Sequence, residues 1–132
     1  MNRILIIEDN EINCMIYRKI LTSDFTDLHF AYDGEQGIDK FKENSYLLVL
    51  LDLGLPKIVG LEVAHLIKEF EINEQRIVKT PIIVITADNS QSTKLKALAA
   101  GVNEYITKPF NIEDLKTIVG YYIQGQIKKI EI

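Results

Sequence analysis

Residues 47–51 read Leu-Leu-Val-Leu-Leu, followed at once by Asp52. The run is too short for a helix and lacks the polar alternation of a strand with one wet face. It suits a strand covered on both faces, the situation of parallel sheets. Four more short apolar runs, mostly β-branched, share this character at 4–7, 28–31, 81–85 and 102–106. The stretches between them have helical spacing. Ile12, Met15, Ile16, Lys19 and Ile20 form one apolar face of the first helix. Leu61, Ala64, His65 and Lys68 sit at helical spacing in the third, and Leu95, Leu98 and Ala99 in the fourth. Gly101 is placed as a helix-terminating glycine and Asn111 as an N-cap ahead of Ile112-Glu113-Asp114. Asp33-Gly34 and Pro56 mark turns. Residues 71–79 either extend the third helix or form a loop.

Strands alternating with helices imply a doubly wound parallel sheet. Right-handed crossovers then bring the loops that follow the strands to one edge, where ligands bind near a switch in strand order. The 132 residues fit one domain, and 47% hydrophobic residues supply a core that needs no disulfide or structural metal. Cys14 is the single cysteine, so an internal disulfide is excluded and a reducing, cytoplasmic setting is expected. The net charge of −4 argues against a nucleic-acid footprint. No apolar run approaches the ~20 residues a membrane span requires, and the first segment is too short for a signal peptide. A soluble, intracellular chain without nucleic acid or membrane partners is expected.

Four of the five strand ends carry polar chemistry: Glu8-Asp9, Asp52, Thr86 and Lys108. Each alone has an ordinary explanation. Asp9 would serve as a helix N-cap, Asp52 as a turn residue, Thr86 as a capping hydroxyl and Lys108 as a solvated loop lysine. The topology, however, delivers all of them to one edge. Three adjoining carboxylates repel and need a cation or protons. Carboxylate oxygens with waters suit Mg²⁺. An aspartate neutralised by metal can attack phosphorus, and Lys108 with the Thr86 hydroxyl can then hold the phosphoryl oxygens.

In this order and spacing the motifs resemble the receiver domain of two-component response regulators. They are Leu5-Ile6-Ile7-Glu8-Asp9-Asn10, Leu50-Leu51-Asp52-Leu53-Gly54-Leu55-Pro56, Val84-Ile85-Thr86-Ala87 and Tyr105-Ile106-Thr107-Lys108-Pro109-Phe110. The resemblance runs from Arg3 to about Tyr122. It implies a flavodoxin-like fold, five parallel strands in the order 2-1-3-4-5 flanked by five helices. Asp52 is implied as phosphoacceptor, Glu8, Asp9 and the Gly54 carbonyl as further Mg²⁺ ligands, and Thr86 and Lys108 as the phosphoryl-binding pair. Tyr105 is implied as the aromatic switch partner of Thr86, and Lys108–Pro109 as a cis peptide. The implied partners are a histidine kinase or histidine phosphotransfer protein and a protein docking on the face of the fourth helix, fifth strand and fifth helix. A phosphorylation-dependent dimer is a further option.

Glu8 stands where Asp is commoner in that family, a variant of receivers attached to sensor kinases or phosphorelays. Gly54 leaves open space beside the phosphoryl group, and Asp88 sits where water access is tuned. The expected division is a receiver domain over 1–124 and a tail over 125–132. That tail extends the fifth helix, starts a linker or supports self-association. The chain is expected to catalyse only its own phosphorylation and dephosphorylation, whether as a stand-alone receiver or as part of a hybrid kinase. The alternative is a receiver-fold interaction module that works without phosphorylation. An aspartyl phosphatase would want a carboxylate where Gly54 stands. A dinucleotide site would want glycines where Glu8-Asp9-Asn10-Glu11 would repel phosphates. His29, His65 and Cys14 are assigned no part in the site.

Overall fold

The computed structural model describes residues 2–23, 26–54 and 60–131. Leu55, the Pro56 turn and Ile132 of the tail lie outside them. Among the described residues five strands alternate with five helices. They are β1 (Asn2–Ile7), α1 (Glu11–Leu21), β2 (Thr26–Ala31), α2 (Gly34–Glu43), β3 (Leu48–Leu51), α3 (Gly60–Asn73), β4 (Ile82–Thr86), α4 (Gln91–Ala99), β5 (Glu104–Thr107) and α5 (Ile112–Glu131). The strands form one parallel sheet in the order β2-β1-β3-β4-β5, as expected.

The unbroken apolar runs have a direct structural reason. Successive side chains of a strand point to opposite faces, and both faces here are roofed. Leu5, Ile7, Val49, Leu51, Ile82 and Val84 pack beneath Phe41 of α2, Val63 and Ile67 of α3 and Ala97 of α4. Their neighbours Ile4, Ile6, Leu48, Leu50, Ile83 and Ile85 pack on the other face against Tyr17 and Leu21 of α1 and Leu115, Val119 and Ile123 of α5. Central strands β3 and β4 are buried throughout, whereas the edge strands β2 and β5 are mostly half-buried.

Helix phase is where the structure departs from the sequence reading. The buried side of α1 is Cys14, Tyr17 and Leu21. Ile12 and Met15 stand 68% and 63% exposed, Ile16 is also exposed, and only Ile20 of the expected set packs on the core. Two anchors fix this phase. The Cys14 thiol donates to the Glu8 carbonyl at 3.5 Å, and the Asn13 amide donates to the Glu8 carboxylate at 3.1 Å. Both hydrophobic stripes are compatible with a helix, and the loop before it selects between them. In α4 the contact with the core is Ala97, while Leu95 and Leu98 face solvent. In α3, Ala64 is buried with Val63, Ile67 and Glu71, whereas His65 lies outside, beside Glu69 at 3.2 Å.

The capping expectations can be read in bonds. Asn111 accepts from the Asp114 amide at 3.1 Å, and Gly101 has φ +97°, a left-handed conformation that glycine adopts without a Cβ clash. Asp33 is itself the N-cap of α2, accepting from the Gln36 amide at 2.8 Å. Residues 71–79 divide: the first three finish α3, and a turn through Gln75 at φ 55° leads away. α5 continues without a break through residue 125 to Glu131.

Candidate functional site

The sheet order reverses direction between β1 and β3, and both strands deliver carboxylates at that point. Ile7 pairs with Leu51, so Glu8 and Asp52 leave their strands side by side. The Asp52 amide still donates to the Ile7 carbonyl at 3.1 Å. Oxygens of Glu8, Asp9 and Asp52 all lie within 4.8 Å of one another. The Lys108 ammonium bridges two of them, donating to Glu8 Oε1 at 3.0 Å and to Asp52 Oδ2 at 3.1 Å. Thus the ends of β1, β3 and β5 meet through side chains separated by as many as 100 residues.

Burial differs sharply within the trio. Glu8 is 1% exposed, Asp52 half-buried and Asp9 exposed. Burial drives the Glu8 carboxyl above its ordinary value, against the Lys108 hydrogen bond, and the nearby Asp52 charge adds to the rise. Lys108 moves the other way from what burial alone would give. Burial works to lower it, but hydrogen bonds and charge from Asp52 and Glu8 together hold it above its ordinary value. The lysine is therefore a fixed positive charge, yet one ammonium faces three carboxylates.

Gly54 and the β4–α4 connection complete the surroundings. The Gly54 amide donates to Asp52 Oδ1 at 3.0 Å, and a Cβ at residue 54 would lie 3.7 Å from that oxygen, ordinary contact distance. Thr86 is buried at the end of β4, but its hydroxyl accepts from the Asp88 amide at 3.3 Å and makes no bond to the carboxylates. The Tyr105 hydroxyl donates to the Asp88 carbonyl at 2.6 Å. Thr86 and Tyr105 therefore grip the same loop residue from two strands. The Lys108–Pro109 peptide is cis, and Phe110 beyond it stacks on Tyr17 at 6.0 Å.

Sequence reasoning missed two members of the site. Asn10, not Asp9, caps α1, accepting from the Asn13 amide, and its own amide donates to Glu8 Oε2. Asn13 holds the other Glu8 oxygen. An Asx residue just before a helix and another three positions later were the available signal. Their target is visible only in three dimensions. His29 bonds Tyr46 and Asp27, and Cys14 is a buried free thiol, both outside the cluster.

The donor set fits a hard cation: three carboxylates within reach of one another and no nitrogen or sulfur ligand among them. These features define a flavodoxin-like α/β protein with an acidic, cation-competent pocket at its switch point. The response regulator receiver domain model matches residues 4–120, and the chain belongs to that family.

Similar proteins agree. The chain is 37% identical over 122 residues to hybrid signal transduction histidine kinase G of Dictyostelium discoideum, covering 91% of this chain and 4% of the kinase. It is 37% identical over 129 residues to the response regulator ArlR of Staphylococcus haemolyticus, covering 98% of this chain and 56% of the regulator. The chain thus spans about half of the one relative and a small fraction of the other. Its fold also matches the receiver domain of Ssk1, solved in complex with the histidine phosphotransfer signalling protein Ypd1 of Saccharomyces cerevisiae. That match has a TM-score of 0.85 at 34% identity, covering 95% of this chain and 90% of that one. No helix among the described residues is long and apolar enough to cross a membrane.

Proposed function

We propose that this chain is a phospho-accepting receiver that takes a phosphoryl group from a phosphohistidine onto Asp52. The observation that carries the reading is the Lys108 ammonium bonded to both Glu8 and Asp52 within a trio of converging carboxylates. Glu8, Asp9, Asp52 and the Gly54 carbonyl would hold Mg²⁺, which supplies charge neutralisation at the phosphoryl oxygens. A carboxylate oxygen of Asp52 forms the new O–P bond as the N–P bond of the phosphohistidine breaks. The imidazole nitrogen leaves with the electron pair. Lys108 and Thr86 then bind phosphoryl oxygens, which requires the Thr86 hydroxyl to exchange its Asp88 amide for the new group. Tyr105 reads that exchange because it holds the same loop residue. The phosphoryl charge of about −2 biases the loop between two arrangements.

Two exposed apolar surfaces suit the partners. Ile12, Met15 and Ile16 crown the first turns of α1, the helix that leaves the site directly, and fit the phosphohistidine donor. Leu95 and Leu98 of α4 with Ile112 of α5 fit the downstream partner or a second phosphorylated copy. The test is incubation with a small phosphodonor and Mg²⁺ followed by intact mass measurement. The expected gain is one phosphoryl group, abolished by EDTA and by Asp52→Asn. A gain that persists in either condition overturns the assignment.

A further inference from the structure

At the opposite edge of the sheet, beneath the start of β4, lies a cavity of about 460 Å³ between α3 and the last turns of α5. Lys68, Lys79, Lys128 and Lys129 line it together with Tyr121 and Gln126, and no carboxylate is among its lining residues. Four lysines around one cavity are out of keeping with a chain of net charge −4.

The floor is a built polar network. Glu71 is fully buried and accepts from the Thr80 amide at 2.7 Å and from the Lys68 ammonium at 3.3 Å. Lys68 also donates to the Thr80 carbonyl at 2.7 Å. Gln126, 4% exposed, donates to the Lys79 carbonyl at 3.0 Å and ties α5 to the segment entering β4. Lys68 is thereby neutralised. The ammonium groups of Lys79, Lys128 and Lys129 have no hydrogen bond or ion pair among the described residues. Tyr121 stands 72% exposed at the wall, its ring edge-to-face with Tyr122 at 5.2 Å. Gly125 also lines the cavity, and a Cβ there would meet nothing within 4 Å.

From this arrangement we infer that the cavity is a second ligand site, for a small phosphate-bearing molecule with a flat aromatic ring, a nucleotide. Lysine ammonium groups bind phosphate oxygens as point charges. A largely exposed tyrosine ring offers a stacking surface. The volume falls within the range of roughly 300–1,000 Å³ typical of small-molecule sites. A nucleic-acid strand is disfavoured because the free lysines gather round one concavity of an acidic protein instead of forming a basic stripe. The site is independent of Asp52 chemistry, since its residues and those of the carboxylate cluster lie at opposite ends of the strands.

Calorimetric titration of the full chain with ADP and with GDP, in EDTA, tests the inference. Inorganic pyrophosphate, adenosine and a short polyglutamate peptide serve as separate arms. Saturable nucleotide binding is expected, weakened about tenfold by Lys128→Ala or Lys129→Ala through loss of one charged contact. Gly125→Leu, which fills the cavity from a helical position with open space, is expected to remove binding while the circular dichroism spectrum and thermal transition persist. Asp52→Asn and Lys116→Ala should bind as the parent does. Binding that is abolished by Asp52→Asn, or unchanged in the two lysine variants and in Gly125→Leu, overturns the site. Nucleotides no tighter than pyrophosphate, or polyglutamate binding in their place, overturns the ligand class.

Discussion

At the carboxyl edge of the sheet three carboxylates cluster around one lysine that pairs with two of them; at the amino edge four lysines line one cavity and one of them pairs with a buried carboxylate. The two clusters have the same internal logic with the signs reversed. Each contains one buried carboxylate, Glu8 or Glu71, whose oxygens are held by a backbone amide and a lysine. That inner pair is structural, because a buried charge without partners costs several kcal/mol. Around it stand charges in excess of the countercharge present: Asp9, and Asp52 which divides Lys108 with Glu8, at one edge, and Lys79, Lys128 and Lys129 at the other. The imbalance therefore sits where solvent and ligand can reach it. A buried polar anchor with unneutralised charge at its rim suits a cation above and an anion below.

The comparison can be broken by removing the anchors. Glu71→Ala should be the most damaging change, since it strands Lys68 and the Thr80 amide. A loss of about 3 kcal/mol in urea unfolding is expected. An effect near zero would show that the lower network carries no structural load. Lys108→Ala takes away the upper cation, and the rate of phosphoryl uptake followed by mass should fall about 100-fold. Gly60→Ala probes the backbone beneath the upper cluster. Its Cβ would lie 2.4 Å from the Leu53 Cα, next to Asp52, and a destabilisation of about 2 kcal/mol is expected in the same unfolding assay. Asn13→Ala removes one of the two bonds to Glu8 Oε1, leaving that of Lys108, and should weaken Mg²⁺ binding about tenfold by calorimetry.

The smallest effect concerns the wall of the lower cavity. Burial first, and then the hydrogen bond and charge of Glu104, push the Tyr122 phenol from 10.0 up to about 12. The folded state therefore keeps its proton longer than the unfolded chain does. Its contribution is complete below the ordinary value and is lost as pH rises from about 10 through about 12. The urea midpoint of the parent should fall more steeply over that window than that of Tyr122→Phe. Parallel profiles would remove Tyr122 from the account.

The parallel sheet was legible because its signal is short-range. Unbroken apolar runs ended by Asp52 or by Glu8-Asp9 report coverage on both faces and a loop directly afterwards. The acidic cluster was legible for the same reason, since topology carries every strand end to one edge. Helix orientation was not legible. Ile12, Met15 and Ile16 make as good a stripe as Cys14, Tyr17 and Leu21, and contacts remote from the stripe itself, the Glu8 bonds from Asn13 and Cys14 and the stacking of Tyr17 on Phe110, go with the second.

Sequence alone thus determined which elements form and at which sheet edge the polar strand-end residues collect. Periodicity and strand-end polarity are properties of neighbouring residues. Tertiary structure decided that Lys108 reaches across to Glu8 and Asp52, and that Thr86 and Tyr105 meet at Asp88. It also decided that lysines from α3, α5 and the approach to β4 surround one cavity. Those facts depend on distances between residues remote in the chain, which only the packing of helices on both faces of the sheet sets.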